Sequence, residues 1–453
     1  MSPKTVVNYA CTECATEHTK WSGRCPDCGA WNTLEEVAAG PVGTVKAERL
    51  AVTPISQITA APVSRLATAS AEFDRVLGGG FVPGSLILLG GEPGIGKSTL
   101  LLQICGSLNA MGTILYVSGE ESLEQIGLRA TRLGVADERL KLVAATDAER
   151  IIRTIVAEKP SLVIVDSIQT LSTDRFQSGA GSVTQVRESA SRLQVIAKEQ
   201  RVPIVVVGHV TKDGTIAGPK VLEHLVDVVL YLEGEKFHGF RLLRGAKNRF
   251  GPSDEVGVFT MEEDGLADVA DAAAVFAVER PEPVPGISVT ATLEGTRVLL
   301  VELQALTVET AFGYPKRTAS GYDVNKLQLL IAVLSRHAGL KLASADVYFN
   351  VSGGYRLSEP ATDLAAAVTV ASALKNRPLA AQTLVIGEVG LSGEVRPVQS
   401  LGKRLSEAKR AGFIRAIVPK QTLKQRPPGL EIIPVTSVSE AVSAALGGDS
   451  RAS

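Results

Sequence analysis

A chain of 453 residues that is 45% hydrophobic and 21% charged has globular composition and is too long for one ordinary core, so two or three domains are expected. Its formal net charge of -1 excludes a global basic field and leaves local patches as the means of meeting nucleic acid. No apolar run approaches the ~20 residues that cross a bilayer, and the opening MSPKTVVNYACTEC has no signal-peptide apolar region. The expectation is a soluble cytoplasmic protein with no membrane partner, whose paired cysteines bind metal more readily than they form disulfides.

Four of the five cysteines fall in CTECATEHTKWSGRCPDC. Cys11 and Cys14 form one Cys-x2-Cys pair and Cys25 and Cys28 another, with ten residues between. Each short pair bends the backbone so that two thiolates face one point, and two pairs complete a tetrahedron around Zn2+. Gly23, Pro26 and Gly29 supply the turns. His18 lies between the pairs as a substitute ligand, but four cysteines already close the site. The zinc is therefore structural, and the ribbon, residues 1–40, depends on it for its fold. Cys105, in the apolar run LLQIC, reads as a buried helix residue.

In SLILLGGEPGIGKSTLLLQI an apolar strand at 86–89 runs into Gly91, Glu92, Pro93, Gly94, Ile95, Gly96, Lys97, Ser98 and Thr99, and an apolar helix follows. Strand, loop and helix in that order make this a Walker A phosphate loop for ATP. The glycines turn backbone N–H groups onto phosphate oxygens, Lys97 reaches the β- and γ-phosphates, and Ser98 holds Mg2+. PSLVIVDSI ends a second apolar strand at Asp166, the Walker B position, for the same Mg2+. TILYVSGEES ends a strand at 114–117 ahead of Glu120 and Glu121, one of which polarises the attacking water. Another buried strand ends at His209. Buried strands separated by helices at 122–133, 148–158 and 183–199 predict a doubly wound α/β P-loop domain over 57–270.

RLLRGAKNRFGPSDEVGVF, residues 241–259, predicts a strand, a turn and a second strand, with Arg241, Arg244, Lys247 and Arg249 crowded ahead of the turn. These bases either form a solvated tip or reach an anion. An Ala- and Pro-rich linker follows at 271–285. An α+β domain is expected over 286–446: a strand to 293, a turn at Glu294-Gly295, further strands in VYFNVSG and TLVIGEVGLSGEVRPV, and helices at 361–375 and 401–411. Residues 447–453 are expected to be a disordered tail. Lys403, Arg404, Lys409 and Arg410 predict a basic helix face that either meets DNA or is merely solvated.

The four-cysteine ribbon followed by GEPGIGKST, LYVSGEES, LVIVDSIQT, GHVTKDG and KNRFG resembles the bacterial RadA (Sms) DNA repair family of RecA-like ATPases over nearly the whole chain. The resemblance implies that Glu120 is the catalytic glutamate and His209 the γ-phosphate sensor. It implies that loops at 172–182 and 211–218, the latter with Lys212, face single-stranded DNA in a hexameric ring. The implied activity is a DNA-dependent ATPase that processes single-stranded and branched recombination intermediates beside a RecA-type recombinase. In such rings a neighbour supplies positive charge to ATP, so Lys247 and Arg249 suit either that role or DNA-backbone contact.

The C-terminal domain resembles the proteolytic domain of the Lon protease family, on GEVGLSGEVRPV and the helix after it. SEPATDLAAAVT has no serine where that family has its nucleophile, and Gly402 stands where it has its lysine. Lys403 is one residue off, about 100° around the helix. Without both groups no acyl-enzyme forms, so this domain is expected to be a scaffold without proteolytic activity. The alternatives are a Lon-like ATP-dependent protease and a regulatory RecA-like ring of the circadian-clock type. Casein degradation would mark the first, and ATP turnover indifferent to DNA the second.

Overall fold

The computed structural model describes residues 8–13, 16–37, 54, 64–108, 112–209, 221–234, 239–269, 282–310, 313–423 and 426–447. The chain divides into two compact units, Met1–Asp268 and Val269–Ser453. The expected linker and tail fall, except for 282–285 and Gly447, outside the described residues. Among the described residues no helix is long and apolar enough to cross a membrane.

The first unit opens with a small antiparallel sheet of β1 (Asn8–Cys11), β2 (Glu17–His18) and β3 (Leu34–Val37), in the order β2-β1-β3. Among the described residues its buried apolar cluster is Cys11, Cys25 and Leu34, far too little to hold a fold without a metal.

Helix α1 (Ala71–Leu77) then leads into a second sheet. Its strands are β4 (Leu86–Gly91), β5 (Ile114–Ser118), β6 (Leu140–Ala144), β7 (Leu162–Asp166), β8 (Ile204–His209), β9 (Val228–Glu233), β10 (Phe240–Asn248), β11 (Val256–Glu262) and β12 (Gly265–Asp268). Helices α2 (Lys97–Leu108), α3 (Leu123–Arg132), α4 (Ala148–Glu158) and α5 (Val183–Gln200) connect them. The order is β12-β11-β10-β9-β4-β8-β7-β5-β6. Strands from β9 to β6 pair in parallel, and β10 to β12 extend the sheet antiparallel. β4, β5 and β7 are buried along their whole length, which is why they read as unbroken apolar runs rather than alternating ones. Helices start where side chains satisfy free N–H groups: Ser122 and Gln125 form a capping box on α3, Asp147 caps α4 and Ser182 caps α5. Cys105 lies fully buried in α2, and burial pushes its thiol above the ordinary range.

The second unit is α+β. Its seven-stranded sheet contains β13 (Ile287–Glu294), β14 (Arg297–Glu309), β15 (Arg317–Ser320), β16 (Ala345–Val351), β17 (Thr383–Val385), β20 (Arg415–Pro419) and β21 (Glu431–Val435), ordered β15-β16-β14-β13-β17-β20-β21. A two-stranded ribbon of β18 (Glu388–Val389) and β19 (Val395–Arg396) lies outside it. The helices are α6 (Val324–His337), α7 (Asp363–Lys375), α8 (Leu401–Arg410) and α9 (Val438–Leu446). α7 is buried from Asp363 through Ser372. The amphipathic helices α6 and α9, and short α1 in the first unit, were not among the expected elements.

Candidate active site and metal centre

The carboxyl ends of β4, β5, β7 and β8 bring the expected nucleotide residues together. The phosphate loop turns at Gly94, whose φ of 77° would strain any residue with a side chain. Helix α2 begins immediately afterwards, at Lys97. The Lys97 side chain is only 4% exposed. Its ammonium donates to the Gly91 carbonyl at 2.9 Å and the Glu92 carbonyl at 3.0 Å, and meets His209 Nδ1 at 3.2 Å. Burial pulls its pKa below the ordinary lysine value, against the opposing charges of Asp166 and Glu120.

An ammonium only donates, so His209 Nδ1 accepts and Nε2–H is left to donate to Glu120 Oε1 at 3.1 Å. Ser167 Oγ donates to the same oxygen. Glu121 faces elsewhere: Arg129 of α3 holds both its oxygens at 2.7 and 2.8 Å. The two adjacent acids are thereby separated, Glu120 facing the lysine and histidine while Glu121 is tied to a helix. Gly119 permits this approach, because a Cβ there would lie 1.9 Å from Thr170 Oγ1.

Ser98 Oγ donates to Asp166 Oδ2 at 2.6 Å. Tyr116, which sequence reasoning passed over, donates its hydroxyl to the same oxygen at 2.7 Å from within β5. The available signal was a phenol in the middle of an otherwise apolar strand. Burial first, and then the Asp166 carboxylate, push the Tyr116 phenol well above its ordinary value. A hydroxyl and a carboxylate are the hard oxygen donors that Mg2+ prefers, so Ser98 and Asp166 fit that ion. Arg241 was also passed over as a support. It is buried, and its Nε donates to the Ile95 carbonyl at 3.1 Å, propping the phosphate loop from β10.

The hairpin is present as β10 and β11, but its cations do not crowd the turn. Arg241 points inward, and Arg244 pairs with Glu233 at 3.0 Å. Lys247 Nζ donates to the carbonyls of Glu223 at 2.6 Å and Val226 at 2.8 Å. Arg249 Nη1 bonds Asp227 Oδ1 at 3.0 Å. The side chains diverge because Arg241 and Arg244 are an odd number of residues apart and so face opposite sides of the sheet, the pairing register of β10 shifts between Gly245 and Lys247, and Arg249 lies beyond the strand end. Asp227 is a buried junction: Oδ2 accepts from the Leu86 N–H at 3.1 Å, and its own N–H donates to the Leu86 carbonyl at 2.9 Å. The 172–182 loop is braced by buried Gln185 of α5, which accepts from the Thr173 N–H at 2.8 Å and donates to carbonyls of Thr173, Phe176 and Ser178. Lys212 and the loop at 211–218 lie outside the described residues.

In the ribbon the sulfurs of Cys11, Cys25 and Cys28 lie within 4.8 Å of one another, with Cys11 and Cys28 at 3.6 Å. Tetrahedral zinc thiolates place sulfurs about 3.8 Å apart, so the three fit one ion; Cys14 lies outside the described residues. His18 Nε2 stands 3.7 Å from Cys25 Sγ and 3.3 Å from Asp27 Oδ2.

In the second unit, Arg404 overturns the expected basic helix face. It is 0% exposed and binds Glu359 with both terminal nitrogens, the Ala291 carbonyl at 2.5 Å and the Gln399 carbonyl at 3.1 Å. The turn before α7 carries Ala361 and a buried Thr362 whose hydroxyl donates to the Glu359 carbonyl at 2.7 Å. Lys403 Nζ bonds the Thr296 carbonyl.

Comparison with known proteins agrees with these arrangements. Residues 53–215 match the AAA domain family, 9–36 the rubredoxin metal binding domain, and 329–422 the ChlI subunit of Mg-chelatase. The chain is thus an ATPase that works with ATP and Mg2+ and carries a structural zinc ribbon and a Lon-like C-terminal domain. It is 47% identical to DNA repair protein RadA of Bacillus subtilis over 98% of this chain and 100% of that one. It is 48% identical to the protein of that name from Pseudomonas aeruginosa, over 96% of this chain and 98% of that one. The same protein of Brucella abortus is 48% identical over 92% of each chain. On the strength of matches that run the length of both partners, the chain belongs to the RadA DNA repair family.

Proposed function

We propose that this ATPase uses hydrolysis to process single-stranded and branched DNA in recombinational repair, as a cytoplasmic homohexameric ring working beside a RecA-type recombinase. The observation that carries the reading is the constellation Lys97, Ser98, Asp166, Glu120 and His209 at the carboxyl edge of one parallel sheet, in a chain of a DNA repair family. Residues 91–99 cradle the phosphates, and Lys97 shifts from loop carbonyls to the β- and γ-oxygens. Ser98 and Asp166 hold Mg2+, which neutralises charge developing on the phosphates. Glu120 takes a proton from the attacking water, and His209 ties that carboxylate to the lysine, so that loss of the γ-phosphate is felt at the end of β8.

β8 leads into 211–218, and β7 leads through Ser167 into 172–182; these loops with Lys212 contact the DNA. Lys247 and Arg249, which make no contact with the chain's own phosphate loop among the described interactions, serve a neighbour's ATP. The domains are a ribbon at 1–40, the motor at 57–270 and a non-proteolytic scaffold at 286–446. What supports the last assignment is that the turn before α7 carries Pro360, Ala361 and Thr362 with no serine at the matching position, and that Lys403 bonds the Thr296 carbonyl.

The deciding measurement is ATP turnover by the full chain with and without single-stranded DNA. Stimulation of several-fold is expected; turnover indifferent to DNA would sink the motor reading, and casein degradation would revive the protease.

A further inference from the structure

The chain has only two tryptophans, and both lie exposed on the zinc ribbon, Trp21 at 58% and Trp31 at 70%. The two rings flank one glycine: a Cβ on Gly23 would lie 3.9 Å from Trp21 and 4.0 Å from Trp31. Arg24 stands 5.8 Å from the Trp31 ring centroid, and its Nε is fixed on the Gly29 carbonyl at 2.9 Å. Asp27, the acid of the same knuckle, is turned to His18. The knuckle therefore presents two flat aromatic faces and a fixed cation. It is also placed: the Thr12 carbonyl accepts from Thr184 Oγ1 at 3.1 Å, at the start of α5 directly after the 172–182 loop.

We propose that Trp21 and Trp31 form a stacking platform for unpaired bases of single-stranded DNA. This rests on the reading of 172–182 as a DNA loop, since the strand leaving that loop meets the ribbon next. Large exposed indoles are unfavourable in water. A base offers a π-face of any sequence, each stacked base strengthens binding about five-fold or more, and Arg24 adds cation–π attraction. Arg24, already held by the Gly29 carbonyl, loses little freedom on binding.

Because no other tryptophan exists in the chain, intrinsic emission reads this surface directly. Labelled oligodeoxythymidylate titrated into the zinc-loaded full chain should quench that emission in parallel with its own rise in anisotropy. Trp21→Ala and Trp31→Ala should each weaken binding about five-fold with zinc content and salt slope unchanged, and Trp31→Phe should restore part of the loss. Rising anisotropy with constant emission, or wild-type affinity in the double alanine variant, overturns the platform and leaves the DNA reading standing. Absence of any binding overturns both. Quenching by a recombinase filament and not by DNA would make the surface a protein contact and overturn the proposal.

A separate observation concerns Asp166. One of its oxygens accepts from both Ser98 and Tyr116, and Tyr116 is 1% exposed on a fully buried strand. When Ser98 turns to the metal, Tyr116 remains to fix the carboxylate. We infer that Tyr116 is a positioning residue for Mg2+, acting through Asp166. Tyr116→Phe removes one oxygen and preserves shape. The ADP complex of this variant should bind Mn2+, read by electron paramagnetic resonance, three-fold or more weakly. Half-saturating Mg2+ for turnover should rise in step, and kcat at saturating Mg2+ should stay within two-fold of wild type. Unchanged metal affinity, with or without a fall in kcat, overturns this role.

Discussion

Adjacent residues can have unrelated duties, and Glu120 and Glu121 are the case in point. Glu120 meets His209 and Ser167, whereas Glu121 is clamped by Arg129. Glu120→Gln should therefore lower kcat by 100-fold or more, the usual worth of a general base, while leaving ATP affinity nearly unchanged. Glu121→Gln should leave kcat within a few-fold and chiefly loosen α3, and steady-state kinetics on both variants tests the contrast. Lys97→Ala should abolish turnover with the fold intact, because Lys97 neutralises phosphate charge and contributes nothing to a core; retained turnover would sink the phosphate-loop assignment. Lys97 and Asp166 were legible because a glycine loop between an apolar strand and a helix has few other uses. The residues alone left Glu120 and Glu121 open and only the family resemblance pointed to Glu120, since the distinction turns on an arginine eight positions after Glu121 that only the folded helix brings back.

At the scale of an element, α8 was legible as a helix and misread as a surface. Leu401, Arg404, Leu405 and Ala408 are its buried residues, which is the i, i+3, i+4, i+7 stripe of a core-facing helix. Arg404 sits inside that stripe, and counting charges without phase put it on the wrong face. Its partner Glu359 would have its pKa raised by burial alone, but the bonds from Arg404, the Leu293 N–H and Thr292 more than offset this and hold it below the ordinary value. A carboxylate with a depressed folded pKa stabilises above its unfolded pKa, near 4.3 for Glu, and the contribution is lost as pH falls through the lower folded value. Glu359→Gln, which strands a buried guanidinium, should cost about 3 kcal/mol at neutral pH. Urea unfolding of variant and wild type should converge only as pH falls below the ordinary glutamate range and through the depressed folded value of Glu359; an equal gap at neutral and at strongly acid pH would contradict the pair's role. Helices α6 and α9 were not read from the sequence, although Leu327, Leu330, Ile331 and Leu334 in the one and Val438, Ala441, Val442 and Ala445 in the other carry the i, i+3, i+4, i+7 spacing.

At the scale of the molecule, the first unit contains a part that needs metal and a part that does not. Cys25→Ser should release zinc and unfold the ribbon, because among the described residues its apolar cluster is three buried side chains. The ATPase domain, with cores on both faces of its sheet, should still bind ATP; unchanged zinc content would refute the ligand assignment. If Lys247 serves a neighbour, chains carrying Lys247→Ala mixed with chains carrying Lys97→Ala should regain turnover that neither has alone, since some interfaces then hold both groups. No regain in demonstrably mixed rings would return Lys247 to its local carbonyls. The order of domains was legible from motif order, whereas sheet order was not, because pairing joins strands distant in sequence. That order has a consequence for synthesis. β4 carries the phosphate loop yet hydrogen-bonds only to β8 and β9, which the ribosome makes more than a hundred residues later. A nascent chain thus holds this apolar strand without a partner on either edge until β8 has emerged, and with one edge open until Glu233 has, and this interval, rather than any weakness of the finished fold, is when it most needs a chaperone.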